Sequence, residues 1–333
     1  MADFKTSTAL SLLRRTAPFV VFRLAVYIGI AVAYVLATGT GAGIGYGIGG
    51  FWEQDTALAY SFYGAFAGFG LTAAVLYLLR EYILYMVKAG HIAVMVELLQ
   101  GRDIPAGQGQ IAYARTMVAE RFGTASVLFG VDQLVKGVIN AVTGLLQGLF
   151  SILPIPGLDK LMGIVRAYLR VAVGLLDEVM LAYCFATRAE NPFEGSRTAL
   201  VLYAQNARPM LVNAAWVTAI VWLVSFMIFL LMLVPAGLVV WLLPGETGAA
   251  AVVFALLFAW ALKAALIEPF ALACILQAYF KLIDGQVPDP AWQAKLANAS
   301  GRFRKIGEKA LAWTGRRSGA RGMSDPVSPE AQA

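Results

Sequence analysis

The sequence has little charge and few of the residue types on which catalytic and metal sites are usually built. Charged residues make up 14% of its 333 positions, histidine occurs once and cysteine occurs twice. Cys184 and Cys274 both lie in apolar runs, so they predict neither a zinc pattern nor a disulfide framework. The single imidazole, His91, also lies in an apolar stretch, where either a packing role or a pH-sensing role is open. The sequence therefore predicts no enzyme, no metal and no cofactor.

Apolar residues dominate what is present. Hydrophobic types make up 59% of the sequence, and the mean hydropathy is +0.71. So few charges cannot cover the water-facing surface of a soluble protein of this length, whereas long apolar helices fit a lipid bilayer. The composition predicts an all-α, polytopic integral membrane protein.

Hydropathy and charge predict the topology. A first span is expected over residues 24–47, and later apolar segments cover residues 57–79, 125–153, 158–186, 211–234 and 249–283. Basic residues collect before the first segment, after every second one and after the last, which is the pattern of cytoplasmic connections. This asymmetry predicts about six transmembrane helices with both termini inside, in a multi-pass protein of the cell membrane, of the bacterial inner-membrane type.

The same reading divides the chain into four parts. Residues 1–23 are expected to form an interfacial helix, and residues 24–290 the transmembrane helical domain. Residues 291–313 predict a basic amphipathic helix on the anionic inner leaflet. Residues 314–333 hold too few apolar side chains to fold and predict a disordered tail. Anionic lipids are thus expected partners, and nucleic acid is not.

The stretch GTGAGIGYGIGG, residues 39–50, predicts close helix packing. On a helix its glycines form two opposed ridges, one with Gly39, Gly43 and Gly47 and the other with Gly41, Gly45 and Gly49. Small residues spaced by four let helices approach closely in lipid, and the next span repeats this spacing at Gly64 and Gly68. Two ridges predict close neighbours on both sides, in this chain, in a second copy or in a membrane-protein partner. A nucleotide-binding loop is the alternative, but it requires a preceding strand.

Residues 125–186 carry polar side chains at helical spacing. The first helix of this predicted hairpin has a narrow polar stripe that includes Asp132, Lys136 and Asn140. The second helix carries Arg166, Arg170, Asp177 and Glu178, which an antiparallel hairpin would bring level with the stripe. The pair could line a polar pathway or lie flat at the interface.

The last span contains a carboxylate beside a proline. Pro269 follows Glu268, and proline frees a helical carbonyl about one turn earlier, near Ala265 or Leu266. A carboxylate and a free carbonyl predict a cation site, with Trp260 near the same face as an aromatic neighbour. The alternative is that Glu268 pairs with Lys263, Arg166 or Arg170 and only fixes the packing of helices.

The C-terminal third resembles a known family in its layout. The segments ALVLYAQNARPMLVNAAWVTAIVWLVSFMIFLL and ALKAALIEPFALACILQAYFKLIDGQVPDPAWQAKL are similar to the C-terminal portion of choline transporter-like proteins. Those proteins are longer, with about ten spans and a large extracellular loop that this sequence lacks. The resemblance implies transport of choline or related cationic amines, and it carries over no binding residue.

These observations lead to two functional expectations. The first is a transporter or channel for a small solute, with cationic amines as one candidate class and Asp177 and Glu268 as the charge-bearing residues. The second is a non-catalytic membrane scaffold or assembly subunit that docks through its glycine-rich helices.

Overall fold

The computed structural model describes residues 2–52, 54–105, 107–122, 175–241 and 248–322, with residues 127, 130, 131, 134–136 and 138. The larger described ranges form helices without strands. The helices are α1 (Thr6–Arg15), α2 (Ala17–Gly49), α3 (Gln54–Leu99), α4 (Gln110–Phe122), α5 (Leu176–Ala186), α6 (Pro192–Gln205), α7 (Ala207–Trp241), α8 (Gly248–Leu262), α9 (Glu268–Ile283), α10 (Pro290–Ala299) and α11 (Gly301–Gly322). A π turn, Lys263–Ile267, joins α8 to α9.

The apolar composition produces helices long enough to cross a bilayer. Within the described residues four segments meet this requirement, Ala17–Gly49, Gln54–Leu76, Ala207–Leu238 and Ala251–Ile283. None of the residues in the most apolar part of Gln54–Leu76 is buried inside the protein, which is expected where lipid takes the place of protein neighbours. The chain is an all-α polytopic membrane protein, as predicted.

Helices α2 and α3 form an antiparallel hairpin that depends on glycine. A methyl carbon built at Gly41 would lie 2.1 Å from the carbonyl oxygen of Gly64, and one built at Gly68 would lie 2.1 Å from that of Ala37. Gly45 approaches the backbone of Tyr60 equally closely. No side chain fits between these backbones, so only glycine permits this separation.

The second glycine ridge, with Gly43 and Gly47, has no close neighbour within the described part of this chain. A methyl carbon at Gly43 or Gly47 would meet no atom within 4 Å, and Gly39 is half-buried. The ridge that contains Gly41 and Gly45 contacts α3, whereas Gly43 and Gly47 face open space. Close neighbours on both sides were expected, but the contact within this chain uses one side of the helix.

A second antiparallel pair, α7 and α8, packs against the first hairpin through α2. The contact is formed by small side chains: Ala31 of α2 and Ala261, Ala264 and Ala265 of α8 and the π turn are all buried. Tyr27 closes this cluster on the α2 side. This packing brings the N-terminal part of α2 alongside the π turn.

Both ends of the described chain lie on one side of the molecule, here called the terminal side. Asp3 contacts Lys281 at 2.8 Å and the amide of Asn213 at 2.9 Å, and α11 packs against α6. The largest buried core also lies here, formed by the end of α3 and by α5, α6, α9, α10 and α11. Helix α6 begins where the Asn191 side chain accepts hydrogen bonds from the N–H groups of Phe193 and Glu194.

Two of the expected boundaries differ in the structure. Residues 1–23 contain α1 and the start of α2, separated at Thr16. Two helices separated at Ser300 replace the single amphipathic helix expected over residues 291–313, and α11 continues to Gly322. The apolar side chains Phe303 and Ile306 of α11 are buried against protein rather than exposed to lipid. Residues 323–333 lie outside the described residues.

The predicted pair of spans over residues 125–186 is only partly described. Its last part is α5, an 11-residue helix buried in the terminal-side core. A helix of this length extends about 16 Å, which is shorter than the hydrocarbon layer. Asp177 and Glu178 therefore lie in a protein core at the terminal side.

Candidate functional site

The helix that carries Glu268 is interrupted by the π turn, and Pro269 explains why. Proline has no N–H group, so residue 269 cannot donate to the carbonyl of Ala265 as an α-helix requires. The N–H of Glu268 instead bonds to the carbonyl oxygen of Lys263, five residues earlier. In an α-helix, residues five apart point about 140° away from each other. In the π geometry they lie about one turn apart and so point toward the same side. Lys263 and Glu268 consequently line the same cleft.

Arg23 fills the place where the sequence predicted a cation. Its side chain is 4% exposed, and one terminal nitrogen donates to the carbonyl oxygen of Ala264 at 2.6 Å. The same nitrogen lies 3.4 Å from Oε2 of Glu268. The carbonyl beside Pro269 and the Glu268 carboxylate thus face a cation that belongs to the protein itself. Of the partners proposed from sequence, Lys263 forms no ion pair with Glu268, and Arg166 and Arg170 lie outside the described residues.

A second ion pair connects α3 to α5. The ammonium of Lys88 contacts Oε1 of Glu178, and both Glu178 and its neighbour Asp177 are buried. Burial would lower the pKa of Lys88, but attraction by Glu178 and Asp177 outweighs burial and holds that pKa above its ordinary value. The amine of Lys88 is therefore charged at neutral pH.

These side chains surround a cleft of about 330 Å³, a volume in the range of about 300–1,000 Å³ that is usual for small-molecule sites. Its charged lining residues are Arg23, Lys88, Glu178, Lys263 and Glu268. Its apolar lining residues are Leu175, Val217, Val221, Pro269, Ala271 and Leu272. Below it is called the charged cleft.

The charged cleft lies near one end of the membrane-spanning helices. Glu268 follows Gly248 by about 30 Å of helix, which is the thickness of the hydrocarbon layer. Beyond Glu268 the chain enters the terminal-side core, where Ala271 and Leu272 are buried. The cleft thus lies where the membrane helices meet that core.

Of the other residues proposed from sequence, the structure describes two that lie outside the cleft lining, Trp260 and Lys136. Trp260 contacts Tyr27 edge to face, with ring centroids 5.4 Å apart, and is not part of the cleft lining. Lys136 is exposed. Four more candidates lie outside the described residues: Asp132, Asn140, Arg166 and Arg170.

Sequence reasoning gave Arg23, Lys88 and Lys263 no place in the predicted pathway. Lys263 appeared only as an alternative partner of Glu268. The available signal was Pro269, because the loss of its N–H group favours a wider turn that rotates Lys263 toward Glu268.

Comparisons with models of protein families, with curated proteins and with solved structures find no match to this chain. Fold and site nevertheless define a class: a polytopic α-helical membrane protein with a charged cleft beside an interrupted helix.

Proposed function

We propose that this chain is a membrane transporter for a small solute and that the charged cleft is the solute's binding site. The observation that supports this proposal is the juxtaposition of a ligand-sized, charged cleft and an interrupted membrane helix. Ionisable side chains within membrane-spanning segments are costly and usually serve a substrate or ion pathway, and Arg23, Lys263 and Glu268 lie within two of the candidate spans. Interrupted helices also contribute the backbone groups of many transporter sites.

The proposed setting is the cell membrane, with the terminal side in the cytoplasm. Basic residues of the sequence concentrate in the segments that lead into and out of this side, and cytoplasmic connections carry such an excess. The cleft would then be the cytoplasmic end of the solute's path.

The geometry gives less support to a cationic solute at Glu268. Choline or a related amine, the class implied by the family resemblance, would have to displace Arg23 from this carboxylate. Arg23 is buried and also donates a hydrogen bond to the Ala264 carbonyl. An amine that took its place at Glu268 would leave the buried guanidinium without a carboxylate partner, which is costly.

Uptake by proteoliposomes tests the proposal. Wild-type protein and Glu268→Gln are compared for uptake of choline, inorganic phosphate, acetate and small inorganic cations. We expect wild-type uptake of at least one of these solutes and a loss of about tenfold or more in Glu268→Gln, since that change removes the carboxylate that holds Arg23 in place at the cleft.

Glu194→Gln is the matched control, because Glu194 also faces an arginine, Arg197 at 3.8 Å, but is 52% exposed and lies on α6 outside the cleft. Its uptake should equal that of the wild type. Melting temperatures of all three proteins establish that they are folded. No uptake of any solute by folded wild-type protein contradicts the transporter proposal.

A second candidate function is a scaffold for another membrane protein. One observation favours it: the most apolar part of Gln54–Leu76 buries no residue within this chain, so a partner helix could pack there. Folded protein without uptake, together with a stoichiometric membrane partner after mild solubilisation, would support this alternative.

A further inference from the structure

The charges that line the cleft are unequally paired. Glu268 faces Arg23 and Glu178 faces Lys88. Lys263 makes no ion pair with any carboxylate of the described residues, although it is half-buried and lines the same cleft. Within the described part of the chain, one cation of the cleft lining therefore has no ion-pair partner.

A second donor in the cleft is also unsatisfied. Nε of Arg23 is buried and has no hydrogen-bond partner among the described residues. A buried donor without an acceptor carries a free-energy cost that a ligand oxygen would remove. Arg23 of α2 and Lys263 of the π turn come from elements that contact each other, and both residues line the charged cleft.

The carboxylates leave no equivalent position for a cation. Oε2 of Glu268 faces Arg23, and Oε1 of Glu178 faces Lys88. The second oxygen of Glu178, Oε2, has no partner in the described part of the chain, but a cation there would lie beside the ammonium of Lys88. Asp177 is buried next to Glu178, and its charge acts on Lys88.

We propose that the charged cleft binds a small anion through carboxylate or phosphate oxygens, with Lys263 as the main ligand and Arg23 Nε–H as a second donor. This proposal rests on the transporter function proposed above and names the class of its solute. Arginine and lysine are the side chains that recognise such oxyanions. The π turn is essential to the site because it directs Lys263 into the cleft.

Ligand binding to the full-length protein tests the anion site independently of transport. The protein is reconstituted into phosphatidylcholine nanodiscs and titrated at constant ionic strength with inorganic phosphate, acetate or choline. We expect saturable binding of phosphate or acetate and none of choline. Lys263→Met should weaken anion binding by about tenfold or more, the loss expected for one charge-assisted hydrogen bond.

Two further variants make the test specific. Lys263→Arg retains the charge and should retain binding. Lys305→Met removes an exposed lysine of α11, remote from the cleft lining, and should bind as the wild type does. Unchanged anion affinity in Lys263→Met would overturn the proposal, and so would binding of choline without binding of either anion.

A second lipid composition identifies the source of the anion. In phosphatidylglycerol nanodiscs, weaker apparent binding of phosphate by the wild type but not by Lys263→Met indicates that a lipid headgroup occupies the cleft. Equal binding in both lipids indicates an anion from solution. Both results support an anion site, and they differ only in its occupant.

The two proposals fail in different ways. Lys263-dependent anion binding without any uptake contradicts the transporter and leaves the anion site in place. Uptake of choline without anion binding contradicts the anion site and leaves the transporter in place.

Discussion

Arg23 interrupts an apolar run near the N-terminus, and its position in the sequence places it near a membrane boundary. Long basic side chains at helix ends often extend toward the membrane interface. In the structure Arg23 turns inward to Ala264 and Glu268, more than 240 positions away along the chain. Local patterns contain no information about such a partner, so the ion pair could not be predicted.

His91 was left open between packing and pH sensing, and the structure describes its surroundings. The ring stacks on Phe19 with centroids 5.2 Å apart, and Nε2 lies 2.9 Å from Oγ1 of Thr16. Because the Thr16 hydroxyl donates its hydrogen to the Leu12 carbonyl, Nε2 of His91 carries the proton and donates it to Oγ1. Burial, assisted by repulsion from Arg23, lowers the pKa of His91 to about 3.

This environment predicts that acid destabilises the protein through His91. An unfolded histidine has a pKa of 6.5, so below that pH the unfolded state gains a proton that the folded state does not bind. The folding stability is fully present above pH 6.5 and decreases as the pH falls toward 3. Between pH 7 and 5.5 the expected loss is about 1 kcal/mol.

Thermal unfolding in detergent across this pH range measures the effect. His91 is the one histidine of the sequence, so His91→Gln should flatten the dependence between pH 5.5 and 7, whatever its stability at neutral pH. An equally steep dependence in the variant would contradict a buried, neutral His91.

At the scale of helices, the close contact between α2 and α3 gives a matched pair of substitutions. Gly41→Leu would force a side chain against the backbone of Gly64, whereas Gly43→Leu would point into open space. We expect Gly41→Leu to lower the free energy of unfolding by about 1–3 kcal/mol or to prevent assembly of the hairpin, as overpacking does. Gly43→Leu should change stability little.

Melting temperatures of the two variants in the same detergent test this prediction. A reversed order, with Gly43→Leu the less stable, would mean that the other ridge forms the close contact.

The π turn predicts that replacing Pro269 weakens anion binding without lowering the stability of the protein. In Pro269→Ala the restored N–H can bond to the Ala265 carbonyl, so the helix can return to α geometry and rotate Lys263 away from Glu268. We expect an equal or higher melting temperature together with weaker anion binding. Pro235→Ala is the control, because Pro235 lies inside α7, away from the charged cleft, and its anion binding should not change. Unchanged anion binding in Pro269→Ala would mean that the π turn is not required for the anion site.

Hydropathy predicted the long apolar helices, but it does not distinguish a lipid-facing helix from a short helix buried in protein. Segments such as 211–234 appear within candidate spans, because a lipid-facing helix is apolar on all sides. The segment 158–186 has similar hydropathy, but its described end, α5, is surrounded by protein. A helix buried in a protein core is also apolar on all sides, so composition alone does not separate the two cases.

At the scale of the whole molecule, the described chain has two parts that meet at the charged cleft. The membrane part consists of two helical hairpins, and the terminal-side core continues from α3 and α9 without a break in the chain. The sequence predicted the membrane class, and it singled out Glu268 and Glu178, which line the cleft in the structure. It did not predict the terminal-side core, because helices that pack on one another and helices that face lipid contain the same residue types.

The central claim is that a solute passes through the charged cleft, which must then open toward each side of the membrane in turn. The most direct measurement is the accessibility of a single cysteine at the cleft. Lys263→Cys is introduced after Cys184→Ala and Cys274→Ala have removed the two buried native thiols. A membrane-impermeant thiol reagent is then applied to each side of oriented proteoliposomes. Lys305→Cys, at an exposed terminal-side position, reports the orientation of the protein.

If the cleft opens toward each side of the membrane in turn, Lys263→Cys should react with reagent from either side, whereas Lys305→Cys should react from the terminal side alone. Reaction of Lys263→Cys from the terminal side alone, with and without added phosphate or acetate, would contradict the account, since it would define a binding cleft that never opens across the membrane.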